Sequence, residues 1–173
     1  MAGVRQFDED TALQQALDVF WERGWQSTSM VDLAAGTGVQ RGSLYHAYGG
    51  KEQIFLKAFD RFAESFLSSA ATALAAKQPL NTFFDYCIDS ITSGRGCFST
   101  RTAVEADAPA VRAAVQRLLD DLEELLIPAT GSREAARLVV TTTRGLAVLE
   151  RVYGDPERLR ATARTLVQAI SSP

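Results

Sequence analysis

Almost every stretch of this chain repeats its apolar residues at the helical period, and that regularity leaves few folds open. Leu13, Ala16, Leu17 and Phe20 stand at i, i+3, i+4 and i+7, the spacing that gathers side chains on one helix face. That helix should start near Phe7–Asp8 and stop at Gly24. Phe55, Phe59, Phe62 and Phe66 form a second stripe, along a long helix from about Lys51 to Lys77 that Pro79 ends. Phe83, Phe84, Cys87 and Ile91 mark the next helix, halted by Ser93-Gly94-Arg95-Gly96. A short helix around 100–106 follows. Pro109 then stands at a first-turn position behind Asp107, and Val111, Val115, Leu118, Leu122 and Leu126 carry a helix to Pro128. Thr130-Gly131-Ser132 precedes a helix over about 133–153. Gly154-Asp155-Pro156 supplies a C-cap, an N-cap and a first-turn proline for the last helix, about 155–171. No segment alternates with the period of two that a half-buried strand needs. The expectation is an all-α fold of about nine helices.

Composition narrows the function rather than the fold. With 46% apolar and 23% charged residues, the chain reads as an ordinary globular protein and not a disordered one. One histidine, His46, and two cysteines without a Cys-x-x-Cys spacing give a metal site nothing to build on. No cofactor motif stands out, and no nucleophile–base pair supports an enzyme. No apolar run reaches the roughly 18–20 residues of a membrane span. Acidic Asp8-Glu9-Asp10 stands near the N-terminus where a leader would be apolar, so a cytoplasmic protein without a membrane partner is expected. The net charge of −3 gives no hint of a nucleic-acid partner. From Leu33 to Lys51, however, there is no acid at all, and Arg41 and Lys51 make this short stretch basic. Any anion-binding surface is therefore small and local.

That stretch belongs to the most informative segment. Ser29 and Asp32 have the Ser-x-x-Asp spacing of a capping box, which starts a short helix. Gly38 supplies a turn, and a second short helix follows over about Gln40–Ala47. Ala34 is small where two crossing helices would meet, and Leu33, Val39 and Leu44 stand where they would hold the pair together. This is a helix-turn-helix pattern, whose second helix enters the DNA major groove. Its polar face fits the role. Arg41 can donate to a guanine edge or a phosphate, and Gly42 lets the backbone come close. Ser43, Tyr45, His46 and Tyr48 offer short or planar donors. Lys51, with the free amides that open the next helix, makes a phosphate clamp.

The run Thr28-Ser-Met-Val-Asp-Leu-Ala, continued by Gly38-Val-Gln-Arg-Gly-Ser-Leu-Tyr-His-Ala-Tyr-Gly-Gly-Lys-Glu-Gln-Ile-Phe55, resembles the N-terminal signature of the TetR family of transcriptional regulators. Ala16-Leu17-Asp18-Val19-Phe20, with Gly24-Trp25, is similar to that family's first helix. The resemblance covers about residues 7–59. It implies a DNA-binding domain at 1–50 and a ligand-binding and dimerisation domain at 51–173. The DNA contacts would fall on Thr28 and Ser29 at a helix start, on Gln40, Arg41, Gly42, Ser43, Tyr45 and His46 in the reading helix, and on Lys51. Two positions depart from the pattern: Gln40 stands where a Ser-like cap is usual, and Gly36 sits inside a helix at a cost of about 1 kcal/mol relative to Ala.

The C-terminal two-thirds resembles the family only in outline. Phe62, Phe66, Phe83, Phe84, Tyr86 and Phe98 gather aromatic area in three helices. They read either as plain core or, with Cys87, as walls of an apolar pocket whose polar tips are Tyr86, Thr102, Glu105 and Arg144. Cys97 follows Gly96 at an expected helix start, near Arg95 and Arg101, where a thiol would be acidified. A Gly-Cys here is similar to a TetR subgroup with electrophile-sensing members. The alternative is a small buried cysteine. In the family the last two helices pair with their copies, which would put Ala147, Val148, Leu149, Leu159, Ala163, Leu166, Val167 and Ile170 at a homodimer interface. The resulting expectation is a ligand-responsive regulator, acting as a repressor, that binds a double-stranded palindromic operator as a homodimer and is released by a small-molecule inducer. Two alternatives stay open: a small-molecule sequestering protein with a vestigial DNA motif, and an electrophile or redox sensor acting through Cys97.

Overall fold

The structure, a computed structural model, describes residues 7–171. The first six residues of the N-terminal stretch read above lie outside the described residues. Nine helices follow in order among the described residues: α1 (Glu9–Arg23), α2 (Met30–Thr37), α3 (Arg41–Tyr48), α4 (Lys51–Leu74), α5 (Pro79–Thr92), α6 (Phe98–Glu105), α7 (Pro109–Thr130), α8 (Arg133–Tyr153) and α9 (Pro156–Ser171). No strand occurs among these residues. The fold is all-α.

Most helix ends have a visible chemical cause. The Asp8 carboxylate accepts from the amides of Asp10 (2.9 Å) and Thr11 (3.1 Å), satisfying two donors that the first turn of α1 leaves unpaired. At α2 the capping box is complete: the Asp32 amide donates to the Ser29 hydroxyl, and the Ser29 amide donates to the Asp32 carboxylate. Ser132 caps α8 through the Ala135 amide, and Asp155 accepts from the Arg158 amide at the start of α9.

Three boundaries differ from the expectation. Helix α4 stops at Leu74, short of Lys77, because Ala75 shares its amide between the Ala71 and Thr72 carbonyls and Ala76 donates three residues back to Ala73, tightening the last turn. Helix α6 begins at Phe98, ahead of the expected 100. Helix α7 runs through Pro128 to Thr130. Pro128 removes one ladder bond, but the turn is closed beyond it. Gly131 donates to the Ile127 carbonyl at 2.8 Å, and the Thr130 hydroxyl donates to the Leu126 carbonyl at 3.0 Å.

The chain divides into two compact units. One comprises the chain to Ala63 with Arg101–Ala114, and the other comprises Glu64–Thr100 with Val115 onward. Helices α4, α6 and α7 contribute residues to both. In the first unit α1 packs on α2 and α2 on α3, over a core of Phe20, Leu33, Leu44, Ile54, Phe55 and Phe59. Phe20 and Phe55 meet edge to face, with centroids 4.9 Å apart, a geometry the ring quadrupoles favour. In the second unit α5 packs on α8 and α9. Phe83, Phe84, Ile88, Leu122, Val139 and Leu159 form its core. Each such fully buried side chain contributes about 1.5–3 kcal/mol by leaving water.

Candidate nucleic-acid interface

Two glycines set the local geometry of α2 and α3. Gly38 adopts φ 65°, the left-handed region in which a side chain would crowd the backbone, so the chain turns at once from α2 into α3. Gly36 lies inside α2 facing α1. A carbon built on its Cα would overlap Val19 Cγ2, and the missing side chain is what lets the two helices touch. The propensity cost read from the sequence is thus spent on helix packing. Leu33 and Leu44 are fully buried on the facing sides of α2 and α3, and Thr37 ties its hydroxyl to the Leu33 carbonyl (2.7 Å).

With those faces inward, the outward face of α3 presents Gln40, Arg41, Gly42, Ser43, Tyr45 and His46, all exposed. Gln40 is the N-cap residue and makes no side-chain capping bond, so its own side chain leaves the amides that open α3 uncovered. Nothing lies within 4 Å of the space a Gly42 side chain would fill. This is an acid-free, donor-rich surface on a short helix. Such a surface can take the oxygens of phosphates and base edges.

Three of the expected contact residues are placed otherwise. Thr28 is buried, and its hydroxyl donates to the Gly24 carbonyl at 2.6 Å, which spends it on the turn after α1. Tyr48 is also buried. Its ring lies tilted against that of Phe7, and its hydroxyl donates to the Glu9 carbonyl (3.5 Å), because the last turn of α3 faces α1 and not solvent. Lys51 turns to Trp25, donating to its carbonyl at 2.9 Å, with the ammonium 4.3 Å from the ring centroid. The indole N–H of the same Trp25 donates to Asp107 at 2.8 Å. That bond, with Lys51 nearby, holds the Asp107 carboxyl below its usual range.

Arg101 is a residue the sequence reading used only as a neighbour of Cys97. In the structure its guanidinium donates to the carbonyls of Trp21 (3.1 Å), Glu22 (3.0 Å) and Arg23 (2.7 Å), and to Glu105 (2.8 Å). It therefore caps the last turn of α1, where the helix dipole favours a cation. An i, i+4 Arg-Glu pair ahead of a distant helix end carries no sequence signal of that partner.

The residues expected to line a ligand pocket fall in both units. In the first, Phe62 packs edge to face on Trp21, with centroids 5.5 Å apart. Thr102 is buried, and Glu105 is held by Arg101 and accepts from the Gln26 amide (3.4 Å). In the second, Phe66 lies against Tyr86 at 5.9 Å, whereas Phe83, Phe84, Phe98 and Cys87 are buried core. Burial pushes the Cys87 thiol up to about 12, so it stays protonated. A cleft of about 230 Å³ opens between α5 and α9, lined by Gln78, Asn81, Asp85 and Arg160 among others; of the aromatic group the sequence suggested, Phe84 alone lines it.

Cys97 is half-buried just ahead of α6. The Thr100 hydroxyl donates to its sulfur at 3.1 Å, Ser99 Oγ lies 3.4 Å away and Arg144 Nη1 3.8 Å. Burial raises this thiol, but the Arg144 charge and the hydroxyls outweigh it, leaving the thiol more acidic than usual. The cation responsible is Arg144, not Arg95 or Arg101.

Of the expected interface residues, Ala147, Leu159 and Ala163 are buried inside the protomer. They stand on the faces of α8 and α9 that meet the core. Leu149, Leu166, Val167 and Ile170 are half-buried, and Val148 is 50% exposed. Leu138 (48%) and Val152 (66%), not singled out from sequence, are exposed with Val148 on α8. Their spacing of ten and four residues places all three on one face, a pattern readable once the inward face is known.

An N-terminal helix-turn-helix with a polar second helix is the architecture of a DNA-binding transcriptional regulator. Residues 12–58 match the family described as "Bacterial regulatory proteins, tetR family". It is 31% identical over 100 residues to the HTH-type transcriptional repressor ComR of Escherichia coli (strain K12), covering 53% of this chain and 48% of that protein. The match thus spans about half the length of that relative. The fold is similar to that of the TetR family transcriptional regulator CifR, as a cysteine mutant complexed with 26-bp operator DNA. There the TM-score is 0.83, with 27% identity over 96% of this chain and 99% of that one. It is also similar to that of reduced Escherichia coli NemR, with a TM-score of 0.84 over 95% of this chain and 98% of that one at 15% identity. Among the described residues no helix is long and apolar enough to cross a membrane.

Proposed function

We propose that this chain is a ligand-responsive transcriptional regulator that binds a palindromic operator as a homodimer and represses until a small-molecule effector releases it. The observation that carries this reading is the outward face of α3: exposed Arg41, Ser43, Tyr45 and His46 around an open Gly42, with no acid between Leu33 and Lys51. Arg41 pairs with a guanine edge, Ser43 and Tyr45 flank it, and the uncapped start of α3 accepts a phosphate. In this reading residues 1–50 carry the DNA contacts and 51–173 the effector and partner contacts. The apolar Leu138, Val148 and Val152 face of α8 meets its copy, because a two-fold protein matches a two-fold operator.

The test is fluorescence anisotropy with a duplex from the region upstream of the chain's own gene. A specific complex that weakens steeply with salt is expected, with a slope of about 0.9 per phosphate neutralised. Absence of any specific complex at low salt refutes the reading. Arg41→Ala distinguishes a regulator, which loses operator affinity and keeps its fold, from a sequestering protein, which loses neither. A second reading, sensing of electrophiles or oxidants through Cys97, is favoured by the donors gathered around its sulfur. Loss of the response in Cys97→Ser, with operator affinity intact, is its test.

A further inference from the structure

The arginines of the second unit are not alike. Arg133 pairs with Glu123 and Glu124, Arg137 with Glu123, and Arg160 with Asp85, Asp89 and Glu157. Arg144 pairs with no carboxylate among the described residues. Its Nη1 donates to Ser99 Oγ at 2.6 Å and reaches Cys97 Sγ at 3.8 Å, and its Nε and Nη2 both lie on Thr143 Oγ1, at 3.3 and 3.2 Å. All of these partners are neutral hydroxyls or a thiol. Ser99 and Thr143 are almost fully buried, at 2% and 4% exposure, so the guanidinium is held from two sides by groups that cannot move away. Arg144 itself is only half-buried.

A half-buried cation whose partners are all neutral has given up part of its water without gaining a counter-charge, which leaves it able to take an anion. The surroundings also specify its use. A guanidinium has five N–H donors in a planar fork and no acceptor, which suits a flat two-oxygen anion. No second cation is among the contacts of Arg144 itself, although Arg151 Nη1 lies 3.7 Å from the space a Gly96 side chain would fill; a single two-oxygen carboxylate needs only the one fork. Resting on the effector-responsive reading above, we propose that Arg144, oriented by Ser99 and Thr143, is the carboxylate-binding end of the effector site, and that the effector is a small organic monoacid whose carboxylate lies beside Cys97.

Cys97 provides a built-in probe, since a reagent that attacks its sulfur must enter this site. Iodoacetate and iodoacetamide perform the same displacement: the sulfur bonds to the methylene carbon, the carbon–iodine bond breaks, iodide leaves and the thiol proton passes to solvent. Only iodoacetate carries a carboxylate. Any change in thiol acidity alters both rates together, so their ratio isolates carboxylate recognition. Labelling is followed by intact-mass spectrometry on the full chain, with glutathione as the free-thiol reference and Cys97→Ser to show that Cys87 stays silent.

The expected iodoacetate-to-iodoacetamide ratio at Cys97 exceeds that of glutathione by about tenfold, the equivalent of one favourable charged contact. It falls to the glutathione ratio in Arg144→Gln and is partly retained in Arg144→Lys. Propionate slows labelling by iodoacetate, whereas propionamide does not. A wild-type ratio equal to that of glutathione overturns the proposal, and needs no variant to fold. So does a ratio unchanged in Arg144→Gln, or a Cys97 that neither reagent reaches. Operator anisotropy on the same samples keeps the two claims apart: a chain that binds no DNA yet shows the tenfold preference refutes the regulator and leaves the anion site standing.

Discussion

Replacing Gly36 by alanine is the most discriminating perturbation of the N-terminal unit. Alanine in a helix interior is ordinarily favoured over glycine by about 0.8–1 kcal/mol. Here the added methyl would overlap Val19 Cγ2 on α1. Val19 cannot swing aside, because a valine in a helix is confined almost entirely to one χ1 rotamer. Forcing an extra carbon into such a contact costs about 1–3 kcal/mol. The two effects oppose one another, so Gly36→Ala alone should be neutral to about 2 kcal/mol destabilising. In a Val19→Ala background the obstruction is gone, and the same substitution should stabilise by up to about 1 kcal/mol. The coupling between the sites is then about 1–3 kcal/mol, well above the roughly 0.3–0.5 kcal/mol scatter of independent positions. Urea melts of the wild type, both single variants and the double variant measure it. Additive effects, or a Gly36→Ala that stabilises on its own, would show that α1 and α2 do not approach through this glycine.

Three further outcomes follow from contacts described above. Arg101→Ala removes four hydrogen bonds from a partly exposed guanidinium; at about 0.5–1 kcal/mol each, a loss of about 2–4 kcal/mol is expected. For a chain of this size that lowers Tm by about 4–16 °C in a thermal melt, and a shift under about 2 °C contradicts the cap. Arg41→Ala should leave Tm unchanged, since the side chain is exposed, while weakening operator binding by about 1–3 kcal/mol, read by anisotropy. Asp8, held down chiefly by the Thr11 amide, Asp32, by the Ser29 hydroxyl, and Asp107, by the Trp25 indole, all titrate below the usual 3.8. Their contribution to stability is therefore complete above that value and is lost as pH falls through the lower folded values. Melts between pH 2 and 6 should show a decline beginning near pH 4, and Asp32→Asn should flatten it.

Helix order was legible because its signals are local. Asp8, Ser29, Ser132 and Asp155 cap the helices they precede, and each can be read within three residues of its own position. The exposed face of α3 was legible for the same reason: burying Leu33 and Leu44 leaves Arg41, Ser43 and Tyr45 on the opposite side. What could not be read was the partner of a side chain far along the chain. Lys51 is oriented by Trp25, 26 residues away, and Arg101 by carbonyls about 80 residues away. Arg144 is joined to Ser99 across 45 residues. The same limit explains Ala147, Leu159 and Ala163. The helices α8 and α9 are apolar on more than one side, and periodicity alone does not say which side the core claims. Pro128 is a local signal that misled, because a later glycine and a threonine hydroxyl closed the turn it interrupts.

The two tryptophans, Trp21 and Trp25, both lie in the unit that carries α3. The other unit has Tyr86 and Tyr153 but no indole. Light absorbed at the red edge of the aromatic band therefore excites one half of the molecule and leaves the other dark. Trp25 is also sensitive by construction, with an ammonium over its ring and a carboxylate on its N–H. Its emission should change when either charge moves. Arg144 belongs to the unit without an indole. The emission of the unlabelled wild-type chain, recorded in a cuvette, therefore reports on the surroundings of Trp21 and Trp25 alone.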